Sequence, residues 1–163
     1  MKLKKIISNL SLEEKVSLLS GFDNWYTPDI KKYGIPKIKM SDGPNGVRGD
    51  SNTPQTSACF PSPILLGATW NEKLIKKIGL ATGEEALFKD VDVLLAPTIN
   101  LHRHPLGGRH FECYSEDPVL TSKIACAYVS GVQSKGVAAC LKHFVGNDTE
   151  FERHLVSSNI DEK

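Results

Sequence analysis

The chain has 163 residues, the length of one domain with a sizeable core, and we expect a single domain over residues 1–163. Its 20 Lys and Arg residues nearly balance its 19 Asp and Glu residues, which argues against a nucleic-acid surface or a polybasic membrane patch. No apolar run approaches the roughly 18 residues that a membrane span needs, so neither nucleic acid nor membrane is an expected partner.

The start of the chain is basic and then apolar, as in a secretion signal. Ser8 and Asn9 interrupt the apolar stretch, and Glu13 follows soon after, so the apolar core of a signal, roughly 7–15 residues, is missing. The cysteines form no C-x-x-C pair and are interpreted as small buried residues in a reducing compartment: Cys59, Cys113, Cys126 and Cys140. A cytoplasmic location is therefore expected.

The first predicted helix begins after Ser11. Ser11 and Glu14 have capping-box spacing, in which each side chain can bond the other residue's backbone amide. The pattern predicts a helix through Ser20 with one inner face formed by Leu12, Val16 and Leu19. A short strand is then predicted over 35–40, followed by a polar loop over 41–48.

The middle of the chain alternates apolar runs and helical patterns. The apolar run 64–68 predicts a strand. Asn71 is predicted to cap a helix that extends to about Lys89, and the β-branched run 91–96 predicts another strand. Asp117 and Pro118 then predict a helix start, with Gly136 ending that helix and a strand following over 137–141. This strand–helix–strand order predicts parallel pairing and an α/β fold.

Three polar segments follow predicted strands: 41–48, 97–116 and the segment that begins at Lys142. In α/β folds ligands bind at the carboxyl ends of the strands. The loop over 97–116 is longer than the roughly 12–15 residues that are usual within a domain, and such loops are usually functional. The sequence therefore predicts a shared site for a hydroxyl-rich ligand. Its main residues are Asp42, Arg109, Lys142 and His143.

Two details of backbone geometry accompany this site. Gly107 and Gly108 predict a tight turn that brings Arg109 inward, in preference to a phosphate-binding nest. Lys142 and His143 are adjacent, and adjacent strand residues point to opposite faces. If both contact one ligand, a strained or non-proline cis peptide is expected around His143.

Several segments, taken in order, resemble the amino-terminal part of the catalytic barrel of family 3 glycoside hydrolases, the β-glucosidase type. The matching segments are 41–48, 59–61, 66–71, 105–112, 115–118 and 141–153. The resemblance implies a partial (β/α)8 TIM-type barrel, the amino-terminal half of the whole. It also implies a hydrolase that cleaves terminal β-D-glucosides or oligosaccharides with retention.

The resemblance also implies roles for individual residues. Asp42 would grip the O4 and O6 hydroxyls of one sugar ring, and Arg109, Lys142 and His143 would donate to the remaining hydroxyls. Arg48 would support Asp42. Relatives that cleave xylosides resemble one another in carrying Glu at the Asp42 position, so Asp implies glucose-like over xylose-like substrates.

The catalytic carboxyl groups are not expected in this chain. Retaining glycosidases need two of them, roughly 5–5.5 Å apart. In the resembling family the nucleophile is an Asp in a later loop and the acid/base is a Glu from a later domain, so both are expected beyond Lys163. The chain alone is then expected to be inactive, and the missing carboxyl-terminal half of the enzyme is an expected partner. No metal or organic cofactor is implied.

Two alternatives and one role stay open at this point. His102 and His104 could be metal ligands in an amidohydrolase-like barrel. The chain could also be a non-catalytic sugar-binding remnant. Glu112 could orient Lys142, orient Arg109, or merely solvate its loop.

Overall fold

The computed structural model describes residues 2–49 and 55–162, which form two compact units, Met1–Met40 and Ser41–Lys163. The first unit contains helices α1 (Lys2–Asn9) and α2 (Leu12–Ser17). The predicted capping box is confirmed: the Glu14 amide donates to Ser11 Oγ at 3.2 Å, and the Ser11 amide donates to Glu14 Oε2 at 2.9 Å. Helix α2 is shorter than predicted, because its hydrogen bonds loosen into a turn after Ser17.

Two predictions for the first unit are wrong. The expected inner face of α2 is solvent-exposed, with Leu12 71%, Val16 53% and Leu19 89% exposed. The segment 35–39 forms only isolated antiparallel bridges, Ile30–Ile35 and Tyr26–Lys39. Pro36 has no amide hydrogen to donate, which limits continuous pairing in this segment.

A three-stranded sheet has the order β1 (Met40–Asp42), β2 (Val93–Leu95) and β3 (Ala138–Ala139), and all of its residues except Met40 belong to the second unit. Strands β2 and β3 are parallel, with Val93 opposite Ala138. Helix α5 (Pro118–Gln133) lies between them in the chain, so the predicted strand–helix–strand unit is confirmed.

The two long helices begin where the sequence predicts. In α4 (Glu72–Phe88) Asn71 is the cap, and its Oδ1 accepts from the Leu74 amide at 3.0 Å. In α5 Asp117 Oδ1 accepts from the amides of Val119 and Leu120 at 2.6 and 3.0 Å. Each carboxamide or carboxylate oxygen thus satisfies amides that have no partner within the first helical turn.

The predicted strand over 64–68 is instead the short helix α3 (Pro63–Gly67). Pro63 occupies the first turn, where its fixed φ suits a helix, and the Leu66 amide donates to the Ser62 carbonyl at 3.0 Å. The local start signal therefore outweighs the apolar run.

The core of the second unit lies between α4, α5 and the sheet. Helices α4 and α5 approach closely at two glycines: a Cβ on Gly79 would lie 2.3 Å from the Tyr128 carbonyl oxygen, and one on Gly131 would lie 2.4 Å from that of Lys76. The buried apolar residues around this crossing include Ile75, Leu94, Ile124, Tyr128 and Val132. Among the described residues no helix is both long and apolar enough to cross a membrane.

Candidate functional site

Pairing between β2 and β3 continues beyond both strands and places the site. The Lys142 amide donates to the Pro97 carbonyl at 3.0 Å, and the Ile99 amide donates to the Lys142 carbonyl at 2.7 Å. Lys142 therefore lies opposite Thr98, just past the carboxyl end of each strand. The peptide bond between Lys142 and His143 is cis, so the expectation of a non-proline cis peptide at His143 is confirmed.

Asp42 and Lys142 form a direct ion pair. Lys142 Nζ lies 2.7 Å from Asp42 Oδ1, although the residues are 100 positions apart in sequence. The Lys142 side chain is 15% exposed and that of Asp42 is 37% exposed, so the pair faces an accessible space. Arg48 is exposed, and its backbone amide donates to the Asp42 carbonyl at 2.9 Å.

Arg109 is held by two carboxylates. Gly108, with φ +80°, forms the expected tight turn just before Arg109, a conformation that glycine adopts readily. Arg109 Nε lies 2.5 Å from Glu112 Oε1, and Arg109 Nη1 lies 3.6 Å from Glu150 Oε1. The hydrogen bond to Glu112, together with the charge of both carboxylates, raises the pKa of Arg109. Of the roles left open for Glu112, the structure shows the contact with Arg109.

Both carboxylates are themselves anchored. Glu112 is buried, and its Oε2 accepts from the Thr98 hydroxyl at 3.2 Å. Glu150 accepts from Asn147 Nδ2 at 3.0 Å and from Arg153 Nη1 at 2.9 Å. Burial opposes ionisation of Glu150, but the hydrogen bonds from Asn147 and Arg153, together with the charges of Arg109 and Arg153, outweigh it, so the pKa of Glu150 is lowered.

His143 is fixed through its backbone and its ring. Buried Asn100 grips the backbone from both sides: its Oδ1 accepts from the His143 amide at 2.9 Å, and its Nδ2 donates to the His143 carbonyl at 3.2 Å. Asn147 Nδ2 lies 3.4 Å from His143 Nδ1. Burial lowers the pKa of His143, and the cations of Arg109 and Lys142 lower it further. The imidazole is therefore disposed to be neutral near pH 7, with one donor and one acceptor nitrogen.

The four main residues predicted for the site come together in two linked groups. Asp42 and Lys142 are in contact, and Arg109 is connected to His143 through Glu150 and Asn147. The cluster offers an anionic acceptor, two cationic donors and a neutral imidazole. This combination suits a neutral ligand with many hydroxyl groups, because each hydroxyl both donates and accepts.

The histidines of the metal alternative are engaged elsewhere. The His102 ring stacks on His110 with centroids 4.9 Å apart, and its Nε2 lies 3.1 Å from the Cys113 carbonyl oxygen. His104 Nδ1 accepts from the Leu106 amide at 3.1 Å. Across residues 2–49 and 55–162 no group of three or more His, Cys, Asp or Glu residues could hold a metal ion. A metal-dependent amidohydrolase is not favoured.

Sequence reasoning did not identify Asn100, Thr98 or Asn147 as parts of the cluster. Thr98 and Asn100 lie two and four residues after the end of the predicted strand over 91–96, so the strand-end rule could have selected them. Asn147 falls within the last matching segment but was assigned no role. The contacts of all three depend on which side chain folds back onto which loop.

Comparison with known proteins identifies the family. The sequence pattern described as "Glycosyl hydrolase family 3 N terminal domain" matches residues 5–163. A β-glucosidase of Rhizobium radiobacter is 56% identical over 160 residues, 97% of this chain and 20% of the relative. Thermostable β-glucosidase B of Acetivibrio thermocellus is 44% identical over 99% of this chain and 22% of its own length. The chain thus spans about a fifth of the length of these curated relatives.

Solved structures of family 3 β-glucosidases resemble this chain in fold as well as in sequence. Beta-glucosidase 3B of Thermotoga neapolitana, in complex with alpha-D-glucose, superposes with a TM-score of 0.83 and 43% identity, covering 92% of this chain and 24% of that one. A family 3 β-glucosidase of Bifidobacterium adolescentis gives a TM-score of 0.88 and 46% identity, covering 96% and 23% respectively.

Proposed function

Because this chain belongs to glycosyl hydrolase family 3, we propose that it is the amino-terminal, sugar-binding part of a β-glucosidase that hydrolyses terminal β-D-glucosides with retention. The observation that carries the proposal is the ion pair between Asp42 and Lys142, which joins two loops 100 residues apart beside His143. A carboxylate held next to cationic donors at the strand ends provides both halves of hydroxyl recognition.

In this proposal the residues divide the work on one glucose ring, supplied by a β-glucoside or oligosaccharide. Asp42 accepts from the O4 and O6 hydroxyls, while Lys142, Arg109 and His143 donate to the others. Neutral His143 can also accept, which a protonated imidazole cannot. Arg48 supports the loop that carries Asp42, because its backbone amide donates to the Asp42 backbone carbonyl. Asp42 is short enough to leave space for the C6 hydroxymethyl group, so glucose binds better than xylose.

The groups that attack the glycosidic bond belong to polypeptide beyond Lys163, an Asp nucleophile and a Glu acid/base. Such groups act from roughly 5–5.5 Å apart, and a site without the nucleophile cannot form the glycosyl intermediate. This chain alone should therefore not hydrolyse an aryl glucoside. The family match over residues 5–163 supports assignment of residues 1–163 to one domain, and the parallel β2–β3 pair with its α5 crossover supports an incomplete (β/α)8 barrel within it.

The partner we propose is the carboxyl-terminal part of the same enzyme. We do not propose a nucleic acid or a membrane as a partner. A groove of about 900 Å³ runs along α5 and is lined largely by apolar groups, including Ile99, Leu101, Val129 and Leu141. About four fifths of the length of the relatives lies outside the region that matches this chain. This supports the proposal that a β-strand and a helix from that remaining part occupy the groove. The cysteines fit their prediction only in part: Cys113 is buried, whereas Cys59 and Cys126 are exposed. All four are free thiols, which supports the proposal of a cytoplasmic location.

The test is titration of the ¹⁵N-labelled chain with glucose, followed by NMR. Glucose should shift backbone resonances around Asp42 and Lys142, and Asp42→Ala should weaken binding about tenfold or more, as expected for loss of a charged hydrogen-bond partner. The matched control is Asp161→Ala, which removes an exposed carboxylate outside the cluster. Equal affinity of Asp42→Ala and the unaltered chain would contradict the proposal, as would tighter binding of xylose than of glucose.

A further inference from the structure

We infer that Glu112 and Glu150 are positioning residues that hold Arg109 from two sides and leave its Nη2 as the nitrogen presented to the ligand. The inference rests on the proposed sugar-binding function. It assigns a task to two carboxylates that contact Arg109 and that the proposed sugar contacts do not use.

Glu112 is the fixed side of this clamp. Its side chain is 8% exposed, and a carboxylate buried to this extent needs charge-assisted partners. One carboxylate oxygen accepts a hydrogen bond from Arg109 Nε at 2.5 Å, and the other accepts one from the hydroxyl of Thr98, which is 1% exposed. Thr98 lies opposite Lys142 in the extended β2–β3 pairing. Glu112 therefore ties Arg109 to the same backbone that places Lys142.

Glu150 forms the second side of the clamp on Arg109, and it lies in the segment that follows Lys142. Its Oε1 lies 3.6 Å from Arg109 Nη1 and accepts from Asn147 Nδ2 at 3.0 Å. Arg153 pairs with its other oxygen at 2.9 Å. The same Asn147 nitrogen lies 3.4 Å from His143 Nδ1. A change at Glu150 therefore reaches both Arg109 and His143.

Because the guanidinium group is rigid, these two contacts determine how the Arg109 side chain is oriented. The group is planar, with five N–H donors in a rigid fork. The hydrogen bond from Nε to Glu112 sets the rotation of that plane, and the charge of Glu150, 3.6 Å from Nη1, favours the same orientation. The two contacts are made by Nε and Nη1, so Nη2 is the nitrogen that neither contact involves. A sugar hydroxyl then meets a donor that is already oriented, with less loss of side-chain freedom on binding.

The experiment observes the Arg109 Nε–H resonance in the ¹⁵N-labelled chain, assigned by its loss in Arg109→Lys. In Glu112→Gln the resonance should move toward those of exposed arginines, and its exchange with water should accelerate about tenfold, as expected for loss of a charge-assisted hydrogen bond. In Glu150→Gln the Nε–H resonance should stay near its original position. Glucose affinity should nevertheless fall in both variants, more in Glu112→Gln. The matched control is Glu84→Gln, which alters a 62% exposed carboxylate and should change neither readout.

An unchanged Nε–H resonance and exchange rate in Glu112→Gln would overturn the inference. If that variant fails to fold, Thr98→Val removes only the hydroxyl that anchors Glu112, and faster Nε–H exchange is again expected. An unchanged rate in Thr98→Val would then overturn it equally. A chain that binds no glucose but shows the expected Nε–H changes would refute the proposed function and leave the Glu112 contact with Arg109 established.

Discussion

Replacing Lys89 with Met is expected to lower the free energy of unfolding substantially, because Lys89 is a buried cation with several partners. Its side chain is 1% exposed, and its Nζ donates to the Val47 carbonyl at 2.7 Å, to Ser57 Oγ at 2.5 Å and to Glu85 Oε1 at 2.9 Å. These bonds tie the polar loop after β1, which follows Asp42, to the end of α4.

The magnitude follows from what the substitution leaves behind. Removing one partner of a buried ion pair typically costs about 3–5 kcal/mol, because the other charge stays buried and uncompensated. Glu85 keeps the bond from the Ala58 amide at 3.1 Å and is 16% exposed, so the lower end of that range applies. For a chain of this length about 3 kcal/mol lowers the melting temperature by roughly 6–12 °C.

The assay is urea unfolding followed by circular dichroism, with thermal melting as a second measurement. Lys135→Met is the matched control, since Lys135 pairs with Glu84 at 2.6 Å but the two side chains are 30% and 62% exposed. Surface pairs contribute about 0–1 kcal/mol, so this control should change stability little. A double variant, Lys89→Met with Glu85→Gln, should recover part of the loss, because it removes the uncompensated charge.

Equal destabilisation by Lys89→Met and Lys135→Met would refute this reasoning. So would a cost below about 1 kcal/mol for Lys89→Met, because a buried charge cannot be left unpaired at so small a cost. Failure of the double variant to recover any stability would place the loss in packing instead of charge.

Two further outcomes are expected. Gly131→Ala should cost about 2 kcal/mol by forcing α4 and α5 apart, since its Cβ would lie 2.4 Å from the Lys76 carbonyl oxygen, while Ser130→Ala should be nearly neutral in the same urea unfolding assay. If both cost the same, the close helix crossing is not the reason. An NMR titration should place the pKa of His143 below its ordinary value of 6.5, chiefly through burial and then through Arg109, and Arg109→Gln should raise it. Because the unfolded chain takes up the proton first, the His143 contribution to stability is intact above pH 6.5 and decreases as the pH falls from there through the folded pKa. A midpoint at or above 6.5 would contradict this.

The helix starts show how much of the fold is local information. The side chains of Ser11, Asn71 and Asp117 each accept a hydrogen bond from an amide in the following turn. The relevant partners lie two or three residues away, so spacing alone is sufficient. The segment 64–68 differs from its predicted strand for a related reason: Pro63 supplies a local helix start, which outweighs the apolar run.

The candidate site likewise has residues that the sequence identifies and contacts that it does not. Sequence alone selected Asp42, Arg109, Lys142 and His143, because strand ends and glycine turns are visible in the chain. It could not choose a partner for Glu112, and it gave Asn100 no role.

By itself, then, the sequence determined where helices begin, that β2 and β3 are parallel, and which loops carry polar chemistry. Only the tertiary structure decided that Asn100 grips His143 across 43 residues and that Lys142 meets Asp42 across 100. Caps and turns arise from bonds between near neighbours, whereas these contacts depend on how the loops at the strand ends pack together. Neither residue spacing nor propensity encodes that packing.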